Sequence, residues 1–172
     1  MSHSRQLTAL ALGLAALAVG PGAAAASTTV LRTAGIGPLT LGMTRAAAVS
    51  TGWLGSRAPG CELASPRPVT YRFTGPKAPS GLRGTAEFDN GGLTNLSFTA
   101  GVRTATGVHL GTTTSRMVAR YRTAGFSASA RYVGTFQGTF VNVKRSGHQL
   151  VGGFGQRGRI TVLAVPVIAV CE

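Results

Sequence analysis

Few residues of this sequence have the chemistry of a catalytic site. Its four acidic residues are Glu62, Glu87, Asp89 and Glu172. Glu87 and Asp89 lie two residues apart, on one face of a predicted strand, where two carboxyl groups could act as general acid and base. The same spacing describes a solvated strand end beside a turn, and this second interpretation is the one we expect to hold.

The histidines and the glycine-rich segment are also predicted to be structural. His109 precedes a glycine turn and His148 lies in a predicted hairpin turn, so we expect loop or surface positions rather than metal ligands or general bases. Residues 153–158 read GFGQRG and match the G-x-G-x-x-G pattern, but a strand-like run follows them where a dinucleotide site needs a helix. We therefore predict a hairpin there, no cofactor or metal site, and no enzymatic activity.

The first 26 residues are predicted to be a secretory signal peptide. Arg5 precedes an apolar run of about a dozen residues, which is shorter than the ~20 residues of a transmembrane helix. Ala24 and Ala26 are the small residues expected before a cleavage site at Ser27. The alternative is a membrane anchor. Export predicts an extracellular protein, with cell-wall association as a further possibility and no transmembrane segment in the mature chain.

The two cysteines, Cys61 and Cys171, belong to a chain that is predicted to leave the reducing cytoplasm. An oxidising compartment favours a disulfide between them. The alternative is two unpaired thiols, and neither cysteine has neighbours at the spacing of metal ligands.

The charge of the chain favours anionic partners. Lysine and arginine together number 17 against four acidic residues, which gives a net charge of +13. The basic residues are spread singly from Arg32 to Arg159 rather than gathered in runs, so the sequence predicts a generally cationic surface and not a nucleic-acid-binding stripe. Such a surface is attracted to an anionic cell wall or membrane.

Two segments of the sequence resemble each other. Residues 39–49 and 108–118 both read as a short strand, a tight glycine turn at Gly42 or Gly111, and the start of a capped helix. Residues 92–98 correspond in the same way to residues 159–165. We interpret this as an internal duplication, with a signal peptide at 1–26, a first repeat at 27–101 and a second at 102–172.

Each repeat is predicted to be a helix followed by antiparallel strands. Hydrophobic residues alternate with polar ones through residues 69–74, 85–89 and 95–99, and Asn90-Gly91 is a strong hairpin signal. The predicted fold is therefore α+β, with two tandem helix-plus-antiparallel-sheet repeats whose helices pack on one face of the sheet. The expected buried helix residues are Met43, Val49 and Trp53 in the first repeat and Met117, Val118 and Tyr121 in the second.

The opposite sheet face is the candidate binding face. It carries polar residues with an aromatic residue and cations among them, which are the types that anchor interfaces. Its predicted members are Arg72, Asn95, Ser97, Phe140, Asn142 and Lys144.

The duplicated motif resembles that of the β-lactamase inhibitory protein family, and the single unit is similar to that of small outer-membrane lipoproteins. The matching residues are Leu41-Gly42-Met43-Thr44 with Val49, and Leu110-Gly111 with Thr113 and Val118. The resemblance implies a secreted bacterial protein, of actinobacterial type, that acts by binding and has no catalytic residues. The prevalence of arginine over lysine agrees with a GC-rich genome.

These features predict a secreted, monomeric, non-catalytic binding module for a protein or an anionic cell-envelope component. One alternative is a secreted hydrolase that uses Glu87, Asp89 or His148. Another is a cationic structural protein of the envelope that has no discrete partner.

Overall fold

The computed structural model describes residues 28–60 and 68–169. The predicted signal peptide, Cys61 and Cys171 lie outside the described residues. The elements of the described chain are β1 (Thr29–Arg32), β2 (Gly35–Ile36), β3 (Leu39–Thr40), α1 (Arg45–Ser50), β4 (Arg57–Ala58), β5 (Val69–Arg72), β6 (Arg83–Asp89), β7 (Gly92–Ala100), β8 (Val102–Thr104), α2 (Thr114–Thr123), β9 (Ser127–Val133), β10 (Gly138–Arg145), β11 (His148–Gln156) and β12 (Arg159–Val165). One turn of 3₁₀ helix, Gly134–Phe136, connects β9 to β10.

Eight of the strands form one antiparallel sheet in the order β4-β5-β6-β7-β12-β11-β10-β9. The first four come from the first predicted repeat and the last four from the second. They meet where β7 pairs with β12, with Leu96 opposite Val165 and Phe98 opposite Leu163. All four of these side chains are fully buried, so the centre of the sheet is also the centre of the core.

A smaller sheet has the order β3-β2-β1-β8. Its β1 and β8 are parallel, so the start of the described chain is tied to the segment between the two halves. Leu31, Ile36 and Leu39 of this sheet are buried in the same hydrophobic cluster as the large sheet. The two sheets therefore share one core.

The predicted α+β class is wrong, because the protein is mainly β. Strand accounts for 50% of the structure and helix for 14%, and the described chain has two α-helices. The glycine-turn motif does lead into helices, but these contain six and ten residues. The strands instead form one large sheet shared by both halves, so the helices are small additions to a β structure.

The two glycine turns have the same local geometry. Gly42 and Gly111 have φ angles of +83° and +85°, in the left-handed region that favours glycine. The Gly42 N–H donates to the Leu93 carbonyl, and the Gly111 N–H donates to the Ile160 carbonyl. Each turn therefore attaches the start of its helix to the hairpin strand that follows in the same half.

The predicted helix caps are also present. Thr44 and Thr113 are the N-caps, and their hydroxyl oxygens accept hydrogen bonds from the backbone N–H groups of Ala47 and Arg116. Gly125, which follows α2, has the left-handed conformation expected of a residue that ends a helix. These features depend on residues close in sequence, which is why they could be predicted.

The buried helix residues are only partly those predicted. Met117 and Tyr121 are buried in α2 as expected, whereas Val49 is 40% exposed. Because α1 has fewer than two turns, one position, Ala48, faces the core. Trp53 is half-buried and lies over Gly37, where an added Cβ would come within 2.2 Å of the indole ring.

We expect Gly42→Ala and Gly111→Ala to destabilise the fold by similar amounts, about 1–2 kcal/mol each, because an L-residue is strained at positive φ. An added Cβ meets nothing within 4 Å at either position, so the backbone conformation alone causes the cost. Urea unfolding measures it. Gly134→Ala is the control, since Gly134 has equal space and no positive φ. A loss of stability from one substitution and not from the other would contradict the structural equivalence of the two glycine turns.

Candidate functional site

The large sheet has two different faces. One face packs against the helices and carries the apolar core residues Ala86, Leu96, Phe98, Val141, Val143, Leu163 and Val165. The other, which we call the outer face, carries the alternate residues of the same strands. The outer face combines hydroxyl, amide, charged and aromatic side chains, which are the groups that form binding surfaces.

All six residues of the predicted binding face lie on the outer face. Strand pairing sets Arg72 opposite Thr85, Thr85 opposite Ser97 and, on β12, Ala164 opposite Ser97. The same row continues through Gly152 to Asn142. Phe140 and Lys144 lie two residues to either side of Asn142 on β10. The first and second halves therefore contribute to one continuous surface.

These six residues differ in their accessibility. Arg72 and Lys144 are exposed, and Ser97, Phe140 and Asn142 are half-buried. Asn142 accepts a hydrogen bond of 2.8 Å from the Gln149 amide. Asn95 is only 6% exposed, so it is not a contact residue for a partner.

Asn95 is covered by the segment that follows β12. Its Nδ2 donates to the carbonyl oxygen of Val167 over 3.1 Å. The same segment crosses Gly152, where an added Cβ would lie 2.6 Å from the backbone nitrogen of Ile168. The outer face is therefore partly covered by the chain itself, and the remaining opening lies beside this segment.

A cavity of about 370 Å³ opens beside the segment. Its apolar wall consists of three phenylalanines and two aliphatic residues, Phe136, Phe140, Phe154, Val162 and Ile168. Its polar wall consists of three hydroxyl residues and one acid, Thr70, Thr85, Ser97 and Glu87. We call it the phenylalanine cavity.

The three phenylalanine rings contact one another. Phe140 lies at the centre, with its ring centroid 5.5 Å from that of Phe136 and 4.9 Å from that of Phe154. Gly138 leaves room for this arrangement, because a Cβ there would lie 2.3 Å from the Phe154 ring. The wall is thus a packed aromatic surface that a ligand can contact.

A neighbouring opening of about 370 Å³ shares Thr85 and Ser97 with the phenylalanine cavity. Arg72 and Arg83 line this second opening. The two hydroxyl residues thus form a ridge with an acidic, aromatic hollow on one side and a basic hollow on the other.

Glu87 is the acidic group of the phenylalanine cavity. Burial raises the pKa of its carboxyl group above the ordinary value of 4.5, and the nearby carboxyl of Asp89 raises it further. Directly across the strand pair lies Asn95. The buried Oδ1 atom of Asn95 has no hydrogen-bond partner among the described residues.

The candidate catalytic residues are not assembled around this carboxylate. Glu87 lines the cavity, but neither Asp89 nor His148 does. His148 lies opposite Arg145 beside the β10–β11 turn. In the part of the chain that the structure describes, no three histidine, cysteine, aspartate or glutamate side chains come together as a metal site would require.

His109 lies in a basic region away from the outer face. Its Nδ1 atom is 2.8 Å from the Leu110 carbonyl oxygen. It lines a cavity of about 250 Å³ with Arg116, Arg120 and Arg159. Arg120 and Arg159 donate hydrogen bonds to backbone carbonyls, those of Gly107 and Gly111. These two arginines therefore stabilise the turn before α2.

The glycine-rich segment 153–158 is the end of β11 and the turn into β12, as predicted. Gln156 pairs with Arg159, and Arg157 and Gly158 occupy the turn with positive φ. No helix follows, so the geometry of a dinucleotide site is absent from this described segment.

Sequence reasoning missed most of the phenylalanine cavity. Phe154, Phe136, Val162 and Ile168 were not expected at the site, and Glu87 was expected to be a solvated strand end. The available signal was the β10–β11 hairpin, which brings two phenylalanines onto neighbouring strands. Its register could not be obtained from the turn alone, because a β-bulge beyond the turn shifts the pairing by one residue.

The comparisons with known proteins identify no relative. No family model, curated protein or solved structure matches this chain. The resemblance to the β-lactamase inhibitory protein family therefore stays a prediction. Within residues 28–60 and 68–169, no helix has the length and apolar character needed to cross a bilayer.

Because burial raises the pKa of Glu87, the folded state holds this proton more tightly than the unfolded state does. Glu87 therefore lowers the free energy of unfolding by an increasing amount as the pH rises from 4.5 towards its raised pKa. At a pH low enough to protonate Glu87 in both the folded and the unfolded state, this effect disappears. We expect Glu87→Gln to be more stable than the parent near neutral pH, with an advantage that shrinks on acidification.

Denaturant unfolding of both proteins between about pH 4 and pH 7 measures this difference. Asp89→Asn is the control and should have a smaller effect, because burial, the larger cause of the pKa shift, remains. An advantage of Glu87→Gln that grows on acidification would contradict the assignment.

The predicted Cys61–Cys171 disulfide has a separate test. Gly60 and Ala169, which are close to the cysteines in sequence, both line the phenylalanine cavity. We expect no free thiol in protein denatured without reductant, and a loss of about 2–5 kcal/mol of stability in the doubly serine-substituted variant. Two titratable thiols under these conditions would refute the prediction.

Proposed function

We propose that this chain is an exported, non-catalytic binding protein that holds a protein or cell-envelope partner against the outer face of its large sheet. The observation that carries the proposal is the phenylalanine cavity, a hollow of about 370 Å³ with an aromatic wall and a polar rim. Apolar pockets with a few polar groups are the usual form of a binding site.

The surroundings of the cavity support recognition of a macromolecule rather than of a small substrate. The cavity lies on a broad surface, with exposed Arg72 and Lys144 on the same face. Aromatic anchors surrounded by polar residues are typical of protein interfaces. The hydrolase alternative receives no comparable support, because Asp89 and His148 do not line the cavity with Glu87.

The experiment captures partners from the culture supernatant and cell envelope of the source organism on the immobilised protein. Phe140→Ala removes the central ring of the aromatic wall, and we expect it to reduce capture of a specific partner about tenfold or more. Tyr132→Ala is the matched control, because Tyr132 is an aromatic residue that is 65% exposed and belongs to the opposite face.

Two further measurements make the result interpretable. Thermal unfolding establishes that Phe140→Ala still folds, and Thr85→Arg obstructs the same cavity from its rim without removing an aromatic ring. Saturable capture that survives moderate salt and is weakened by both variants supports the proposal. Capture that both variants retain and that disappears with added salt would favour a cationic envelope-coating protein instead.

A further inference from the structure

The described lining of the phenylalanine cavity has three hydroxyl residues, which can donate or accept hydrogen bonds, and one charged residue, whose carboxylate can only accept them. Glu87 contributes a carboxylate to the wall. Asn95, its direct cross-strand neighbour, is 6% exposed and has used its amide N–H₂ on the Val167 carbonyl. Its Oδ1 atom is buried without a donor among the described residues. Because Asn95 is not accessible to a ligand, the charged acceptor that a ligand can reach is the Glu87 carboxylate, which favours a ligand that donates hydrogen bonds.

The electrostatic surroundings of Glu87 are equally unusual. The chain carries 17 basic residues and four acidic ones, yet the shift in the pKa of Glu87 arises from burial and from Asp89, both of which disfavour the carboxylate. No described cation offsets them. An arriving cation would remove this penalty, and a charge interaction is stronger beside an apolar wall than in water.

Apart from Glu87 and the three hydroxyl residues, the lining of the cavity is apolar. Phe136, Phe140, Phe154, Val162 and Ile168 line it, and they lie within the same hollow as Glu87. A simple inorganic cation would leave this wall uncovered, whereas an apolar molecule without charge would bury the carboxylate unpaired. The ligand that satisfies both walls carries a cationic donor on an apolar body.

We propose that the phenylalanine cavity binds a primary ammonium or guanidinium group attached to an aromatic or branched apolar body, as presented by a lysine or arginine beside a large hydrophobic residue of a partner protein. The ammonium or guanidinium donates to Glu87, and the apolar body covers the phenylalanine wall. This inference deepens the proposed function and rests on it for the identity of the partner as a protein.

The test titrates the protein with three small probes and follows its backbone amide NMR signals. 4-Phenylbutylammonium has both features, 4-phenylbutyrate replaces the cation with an anion, and butylammonium lacks the ring. We expect the first to bind at least about tenfold more tightly than the other two, and to shift the signals of residues that line the cavity.

Two variants locate the cation. Glu87→Gln keeps the size of the side chain and removes its charge, and we expect it to weaken 4-phenylbutylammonium binding about tenfold or more. Asp89→Asn removes the neighbouring acid, which does not line the cavity, and should change the affinity less than about threefold. Equal affinity for the anionic probe, or no effect of Glu87→Gln, would overturn the proposal.

A segment of the chain itself is an alternative to an external ligand, and the experiment must exclude it. Arg67 is the basic residue of the segment 61–67, which adjoins the cavity residue Gly60 in sequence. If that segment fills the site, Arg67→Ala will increase the affinity for the ammonium probe, and the cavity is then an internal contact and the proposal is overturned. An unchanged affinity supports an external ligand.

The results separate this inference from the proposed function. Partner capture that depends on Phe140 but not on Glu87 would support the proposed function and contradict the inference that the cavity binds a cationic group. Glu87-dependent binding of the ammonium probe without any captured partner would support the cation site and contradict the proposal that the protein binds a protein partner.

Discussion

The pairing of β7 with β12 is the interaction on which the rest of this structure depends. It joins two four-stranded sets through buried Leu96, Phe98, Leu163 and Val165, so that both halves bury their apolar faces in one core. Without it, each set would expose a hydrogen-bonding edge in the middle of the molecule. The phenylalanine cavity depends on the same pairing, because its polar wall belongs to the first half and its aromatic wall to the second.

The cavity has an energetic cost for the fold. Burial disfavours the Glu87 carboxylate, and on the next strand the Asn95 oxygen has no hydrogen-bond partner among the described residues. An apolar pair at these positions would avoid both penalties. Uncompensated polar groups of this kind concentrate where a protein meets a ligand, which is why two such groups side by side carry more weight than the general positive charge of the surface.

Register shifts in the large sheet determine which side chains meet at the site. The pairing shifts by one residue at four places, twice in β6–β7 and once each in β10–β11 and β11–β12. In the β10–β11 hairpin, counting from the turn pair Arg145 and His148 would set Phe140 opposite Gly153. The bulge sets it opposite Phe154 instead, and Gly153 faces Met117 on the helix side. One extra residue thus creates the aromatic wall and makes room for the helix.

The sequence by itself determined the local features of this protein: the alternating strands, the Asn90-Gly91 turn, the glycine turns and the threonine caps. Each depends on the φ preference or hydrogen bonds of residues a few positions apart. Only the tertiary structure decided the mainly β class, the cover over Asn95 and the composition of the cavity. Those depend on how eight strands are ordered, where bulges shift their register and which segment crosses the finished sheet, and contacts between residues distant in sequence set all three.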